Sequence, residues 1–234
     1  SDGDDELAFN RAKARATALR HRVSVVRPFG DGRTVDEPCH LDRVRPARAT
    51  GQKGPKEVRM SRSVAVRRAF GREAKRRFYL ERLGDGAPEP VSSLSSLVEG
   101  PPEGLRYSLR NKIAVFYADG NGFGAIGKGP IEKQKSFSSR LRDLQDSLLP
   151  PIVDLLRRQE DERPGSGFTP DGAIRLETLL WGGDEVSFAV PAWLGWPLAE
   201  TFFEVTEGAC FEWEAESRPL TFAAGLLFCH HKTP

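Results

Sequence analysis

Two adjacent carboxylates, Asp184 and Glu185, stand between apolar runs in the stretch "LLWGGDEVSFAVP". A third, Asp119, ends the apolar run "KIAVFYAD". Carboxylates that converge without a counter-charge repel one another, so their convergence is costly. Hard divalent cations supply that charge, because they prefer oxygen ligands and are commonly held by one or two carboxylates plus substrate phosphates. The residue types therefore predict a site for Mg²⁺ or Mn²⁺.

Two such ions would suit nucleotidyl transfer, in which one activates an attacking hydroxyl and the other stabilises the leaving pyrophosphate. Glycines beside the acids fit that chemistry. Gly182 and Gly183 permit a tight turn and the close approach of a nucleotide, and the loop after Asp119 offers backbone N–H groups to phosphates. The predicted metal ligands are Asp119, Gly120, Asp184 and Glu185, and the predicted nucleotide contacts also include Gly120, Asn121, Gly122, Phe123 and Gly124.

Hydrophobic periodicity predicts the elements that position these residues. Residues 112–119 read as a buried strand, and two apolar runs around the glycine pair read as a β-hairpin. Leucines at three- and four-residue steps predict a helix over 137–158, kinked at Pro150 and Pro151. A helix over 197–216 and a strand over 220–228 complete the order β-α-β-β-α-β. That order predicts an α+β, ferredoxin-like palm with a largely antiparallel sheet, in which the first strand neighbours the hairpin.

A basic, partly helical region precedes the palm. From Arg43 to Arg82 there are 14 Lys/Arg and three acids, although the formal net charge of the whole chain is +2. A helix is predicted over 61–83, docked by the apolar stripe Val66, Phe70, Ala74 and Phe78, with arginines that either face solvent or contact phosphate. Residues 84–109, rich in Gly, Pro and Ser, predict a linker, so the predicted domains are 1–110 and 111–234.

The composition of the 234 residues is that of a globular protein, with 38% hydrophobic and 29% charged residues. No apolar run approaches the roughly 20 residues that span a bilayer, and the acidic start shows no signal-peptide core. We therefore expect a cytoplasmic protein without a membrane partner, truncated beyond Pro234. Cys39 and His40 could form half of a metal knuckle, but no partners at ligand spacing follow them.

The stretches "FYADGNGFG", "WGGDEVSFAVP" and "AAGLLFCHHKTP" resemble the palm-type nucleotidyl cyclases, which include GGDEF diguanylate cyclases and the large polymerase-like subunit of type III CRISPR effectors. The resemblance spans about residues 111–234. It implies that Asp119 is the first-strand metal ligand, that Asp184 and Glu185 are the acids of the hairpin, and that Lys232 contacts a triphosphate.

The guanine-recognition residues of GGDEF enzymes have no counterpart after Asp119, and Thr178 stands where their inhibitory Arg-x-x-Asp needs its Asp. The ending and the basic helix look more like the CRISPR-type palms, including the smaller single-palm relatives, although Glu185 departs from their Asp-Asp pair. The resemblance thus implies a two-metal cyclase that makes a cyclic oligo- or dinucleotide from ATP, favoured over GTP, in antiviral defence.

Cyclisation needs a second nucleotide facing the first, which implies a homodimer or a second palm-containing subunit. One alternative is a catalytically silent palm that binds nucleotide within a CRISPR-like ribonucleoprotein, with the basic helix on RNA. A diguanylate cyclase is a further alternative.

Overall fold

The structure, a computed structural model, describes residues 11–12, 37–53 and 56–232. Most of the chain before residue 37, which belongs to the predicted N-terminal region, therefore lies outside the described residues. The truncation predicted after Pro234 lies outside them as well. The chain divides into two compact units between Ala65 and Val66. Each unit is described by itself below.

The first unit contains an antiparallel hairpin of β1 (Ala49–Lys53) and β2 (Lys56–Met60). Before it, the Asp42 side chain accepts the N–H groups of Val44 and Arg45 at 3.0 and 3.1 Å and closes a tight turn. The Cys39 thiol is fully buried beneath that turn. Cys39 and His40 belong to no group of three metal-ligating side chains among the described residues.

The second unit is built on a four-stranded sheet. Its strands run in the order β4-β5-β3-β8, and all neighbours are antiparallel. This is the strand order of the ferredoxin-like βαββαβ fold, so the predicted α+β class is confirmed, as is the pairing of the first strand with the hairpin. The strand bounds are β3 Lys112–Gly120, β4 Glu177–Gly182, β5 Glu185–Pro191, β6 Cys210–Trp213, β7 Glu216–Pro219 and β8 Phe222–His230.

Helices cover one face of this sheet. Ala114, Phe116 and Ala118 alternate along β3 and bury their side chains in one cluster with apolar residues of α4 and α5. None of the helices in the described part of the chain is long and apolar enough to cross a membrane. The helix bounds are α1 Arg62–Leu83, α2 Phe123–Ile126, α3 Ile131–Asp146, α4 Leu149–Glu162 and α5 Gly195–Thr206.

Two predicted helices have different bounds in the structure. The helix predicted over 137–158 with a kink is two separate helices, because Pro150 and Pro151 occupy the first turn of α4, where a missing N–H costs nothing. The helix predicted over 197–216 ends at Thr206, because Gly208 adopts a φ of +70°, which stops a helix. The rest of that segment forms the hairpin β6-β7.

The helix predicted over 61–83 is present as α1, but only the last residue of the predicted apolar stripe, Phe78, packs against the core. Val66 and Phe70 are 60% and 72% exposed, whereas Tyr79 is buried. The Tyr79 hydroxyl lies 3.1 Å from Thr178 Oγ1, and the ring of Phe78 meets that of Trp181 edge to face. The predicted stripe did not include Tyr79, whose ring is apolar although its hydroxyl is polar. In the first half of the helix, the residues predicted to be buried face solvent instead.

Residues 84–109 are irregular chain with short 3₁₀ turns, and they lie within the second unit. Val91, Leu97 and Val98 are buried against Ile113 and Ala189 on the sheet face opposite α4 and α5. Apolar side chains in an irregular segment thus cover part of the second face of the sheet.

Arg175 ties this segment to the loop before β4. Its guanidinium, fully buried, donates to the carbonyls of Leu97 at 2.6 Å, Glu99 and Gly100 both at 2.7 Å, and Phe168 at 2.9 Å. Burial lowers the pKa of Arg175 to about 10, against the opposing effect of nearby carboxylates, so the side chain stays charged at neutral pH. One side chain therefore satisfies four carbonyls of two chain segments.

We predict that Arg175→Met lowers the free energy of unfolding by about 3 kcal/mol or more, because it leaves several buried carbonyls without donors. Urea unfolding followed by circular dichroism measures the change. Arg157→Met is the matched control, because Arg157 is an exposed arginine that also donates to one carbonyl, that of Gly86. Equal losses for the two variants would contradict the role assigned to Arg175.

Candidate active site at one end of the sheet

The three predicted carboxylates lie at the same end of the sheet. Asp119 in β3 is the register partner of Glu185 in β5. Partners in an antiparallel pair project to the same face, with their Cβ atoms about 5 Å apart. Asp184 occupies the turn between β4 and β5, and its carbonyl accepts the N–H of Gly120 at 3.0 Å. The structure thus places all three acids where β3 ends and β5 begins.

The hairpin turn is held from both sides of the chain. Gly183 has a φ of +62°. Two-residue hairpin loops need such a positive φ, and glycine adopts it most readily. Its carbonyl accepts a hydrogen bond of 2.8 Å from Nε2 of Gln145, a largely buried residue of α3. Gly182 closes the hairpin opposite Glu185, and a Cβ added to it would meet nothing within 4 Å. The turn is therefore fixed by Gly183 and Gln145, while Gly182 leaves room beside the acids.

Tyr117 shares the site face with Asp119, two residues away on β3. Its hydroxyl donates to Glu185 Oε1 at 2.5 Å. This hydrogen bond, partial burial and the negative charges of Glu185, Asp119 and Asp184 raise the pKa of Tyr117 to about 12. The phenol therefore stays protonated at neutral pH and orients Glu185.

The loop after β3 is anchored by its aromatic residue. Phe123 is 2% exposed, and its ring packs edge to face against Phe137 and Phe222. A Cβ on Gly120 would lie 2.4 Å from that ring, so this glycine is needed for packing. Asn121 donates its backbone N–H to the Thr221 carbonyl at 2.8 Å and its amide to Thr221 Oγ1 at 3.1 Å.

Only part of this loop is therefore open to a ligand. Gly122 and Gly124 are exposed, and a Cβ added to either would meet nothing within 4 Å. The side chain of Phe123 is not exposed to a nucleotide, so any contact that it makes would come from its backbone.

The structure does not bring Lys232 to this group. Because β8 is antiparallel to β3, Ala223 at its start lies beside Asp119, whereas His230 at its end lies beside Lys112. At about 3.4 Å per residue, the seven steps from Ala223 to His230 span about 24 Å, and Lys232 lies beyond His230.

The carboxylates at this end of the sheet are hard oxygen donors, the kind that a divalent cation such as Mg²⁺ prefers. Among the described residues, no three His, Cys, Asp or Glu side chains are placed to hold a metal by themselves. Asp119 and Glu185, in register on one face, provide the one or two carboxylates that Mg²⁺ commonly uses when substrate phosphates complete its shell. The type of these side chains therefore suits a divalent cation, although they do not form a three-ligand group by themselves.

Sequence reasoning missed Tyr117, Gln145 and Thr221. Tyr117 carried a signal, because residues two apart on a strand share a face. Gln145 carried one as well, since it lies three and four residues from Leu148 and Leu141 on the buried face of its helix region. Thr221 carried no such signal, because its contact with Asn121 spans 100 residues of chain.

The fold and this site define an α+β, palm-like domain with a carboxylate group at one end of its sheet. No protein-family model matches the chain, and no curated protein matches it. Among solved structures, an EAL/GGDEF domain protein from M. capsulatus matches with 14% identity and a TM-score of 0.27, covering 65% of this chain and 76% of that chain. The strand order of the sheet defines the fold, and the register of Asp119 with Glu185 defines the site.

We predict opposite outcomes for the two glycines of the hairpin. Gly183→Ala places a Cβ in a left-handed conformation and should lower the free energy of unfolding by about 1 kcal/mol. Gly182→Ala, with nothing within 4 Å of the added atom, should leave it nearly unchanged. Urea unfolding of the two variants provides the comparison, and a larger loss for Gly182→Ala would contradict the turn geometry.

Proposed function

We propose that the chain binds a nucleoside triphosphate with Mg²⁺ or Mn²⁺ at Asp119, Asp184 and Glu185, and catalyses nucleotidyl transfer. The observation that carries the proposal is the in-register pair of Asp119 and Glu185, with Asp184 in the adjoining turn. Such a group of negative charges needs a cation, and a triphosphate completes the shell of that cation.

The chain's own residues bind and orient the reactants. Asp119 and Glu185 would hold the metal, with the Gly120 carbonyl and Asp184 as further oxygen donors beside them. The metal, when bound, supplies positive charge to the phosphates and to the attacking hydroxyl. Gly182 leaves space for the nucleotide, and Gly122 and Gly124 expose backbone toward its phosphates. Catalysis would come from positioning and electrostatics.

The reaction is displacement at the α-phosphate. A ribose hydroxyl of one nucleotide loses its proton to water, and its oxygen forms a bond to the α-phosphorus of another nucleotide. The bond from that phosphorus to the bridging oxygen of the β-phosphate breaks, and pyrophosphate leaves. A second such step on the same product closes a ring. Closure requires a second nucleotide opposite the first, and hence a homodimer or a second palm.

Following the sequence resemblance, we propose ATP as the substrate and a cyclic oligo- or dinucleotide of CRISPR-type antiviral defence as the product. Thr178 stands where an inhibitory Arg-x-x-Asp would need its Asp, and it forms a hydrogen bond with Tyr79. We therefore propose an enzyme without GGDEF-type product inhibition at this position. Cyclic di-GMP remains the alternative product.

A silent nucleotide-binding palm is the second candidate. Two observations favour it: the acids do not form a complete three-ligand group among the described residues, and Tyr117 holds one oxygen of Glu185. In this alternative the basic face of α1 contacts RNA within a larger assembly.

The first experiment measures binding by isothermal titration in Mn²⁺. The ligands are ATP and GTP analogues whose α–β bridge is a methylene, so that no pyrophosphate can leave. We expect Asp119→Asn, Asp184→Asn and Glu185→Gln each to weaken binding at least about ten-fold, or 1.4 kcal/mol. Asp154→Asn is the control, because Asp154 is an exposed carboxylate on α4 whose partner is Arg157.

The second measurement follows pyrophosphate release and separates products by chromatography with ATP or GTP itself. Release by wild type but not by Asp184→Asn supports catalysis, and binding without release supports the silent module. Equal binding of the analogues by wild type and the three site variants would refute the site altogether.

We also predict that Tyr117→Phe weakens binding of the Mn²⁺–ATP analogue by about three- to ten-fold, because it removes the hydrogen bond that orients Glu185. The ring is retained, so the urea midpoint should change little. Tyr107→Phe is the matched control, since Tyr107 is 88% exposed. Unchanged affinity in Tyr117→Phe would show that Glu185 needs no such orientation.

A further inference from the structure

A groove runs between α5, the β6-β7 hairpin and the start of β8. Its volume is about 900 Å³. Leu220 and Phe222 line it together with two aromatic side chains of α5 that are unusually exposed, Trp196 at 65% and Phe203 at 45%. Exposed aromatic residues gathered beside a concave surface mark an interaction site more often than isolated ones do.

The rim of this groove is acidic. Glu200, Glu204 and Glu207, at steps of four and three residues on or just after α5, all line it and are exposed. None of the lining residues, which fall within 196–222, is Lys or Arg. The occupant that this surface fits is therefore apolar on one side and positively charged beside that side.

Residues 66–77 of α1 offer the complementary surface. Val66 and Phe70, the exposed apolar pair, lie on one helix face with Arg77, since residues four and seven apart share a face. Arg67 flanks them, and one carboxylate, Glu73, shares the face. Over its whole length α1 has eight Lys/Arg and two Glu, a surplus of six positive charges.

Within one molecule these two surfaces do not cover each other, because Val66, Phe70, Trp196 and Phe203 are all exposed. We propose that the groove receives residues 66–77 of α1 from a second copy of this chain. Phe70 inserts between the aromatic side chains of α5, and Arg67 and Arg77 meet the glutamates of the rim. The contact joins two different surfaces, so it is head-to-tail and forms a chain or a ring of copies rather than an isologous pair.

Two variants separate the halves of this contact. Phe70→Glu alters the helix surface only, and the double change of Glu200→Lys with Glu204→Lys alters the groove only. All three positions are exposed, so folding should be retained, which circular dichroism and urea unfolding check. The matched controls are Tyr107→Glu and Glu132→Lys, which change an exposed aromatic residue and an exposed glutamate elsewhere.

Sedimentation velocity over a wide range of protein concentration tests the proposal. Wild type and both controls should associate as concentration rises, and should do so less at high salt because the contact is partly ionic. Each surface variant alone should associate at least about ten-fold more weakly. An equimolar mixture of the two surface variants should form dimers and nothing larger, because one intact helix meets one intact groove and the remaining surfaces are both blocked.

Wild type that stays monomeric at every concentration overturns the proposal. Association that persists unchanged in both surface variants also overturns it, because another surface would then be responsible. A mixture that stays monomeric while wild type associates overturns the pairing of α1 with this groove. Nucleotide binding at the carboxylates is measured separately and does not enter any of these outcomes.

Discussion

Pairing of β3 on both of its edges is the constraint on which the rest of the second unit depends. β5 and β8 fix the register of β3 from either side, so its alternate residues have no freedom to exchange faces. Ala114, Phe116 and Ala118 consequently face the helices, while Tyr117 and Asp119 face away. If the pairing of β3 slipped by one residue, Asp119 would be buried and the core side chains would be exposed. Exposing Phe116 alone would be costly, because its burial contributes to stability.

The site inherits its rigidity from that register. Asp119 and Glu185 meet because their strands are paired to the last residue, and the Asp184 carbonyl extends the ladder by one bond. Around them, Gln145 holds the turn from α3 and Phe123 holds the loop from the core. The acids thus lie in a framework that the strand ladder, the turn and the loop hold in place.

Charged side chains of different sign lie in different parts of the molecule. Carboxylates gather at one end of the sheet, whereas the arginines lie along α1 and further glutamates line the α5 groove. Arg175 is the exception, because its charge is buried and serves backbone carbonyls rather than a ligand. The role of an arginine in this chain therefore depends on whether it is buried or exposed, which composition alone does not reveal.

The sequence by itself determined the order of elements and the end of the sheet at which Asp119, Asp184 and Glu185 lie. Both follow from local patterns, namely strand alternation, helical periodicity and glycine at a turn. Tertiary structure alone decided that α1 docks through Tyr79 rather than Phe70, that the chain after Gly208 forms a hairpin, and that Tyr117 bonds to Glu185. It also placed Lys232 at the far end of β8, because strand direction in a sheet is set by pairing between residues distant in sequence.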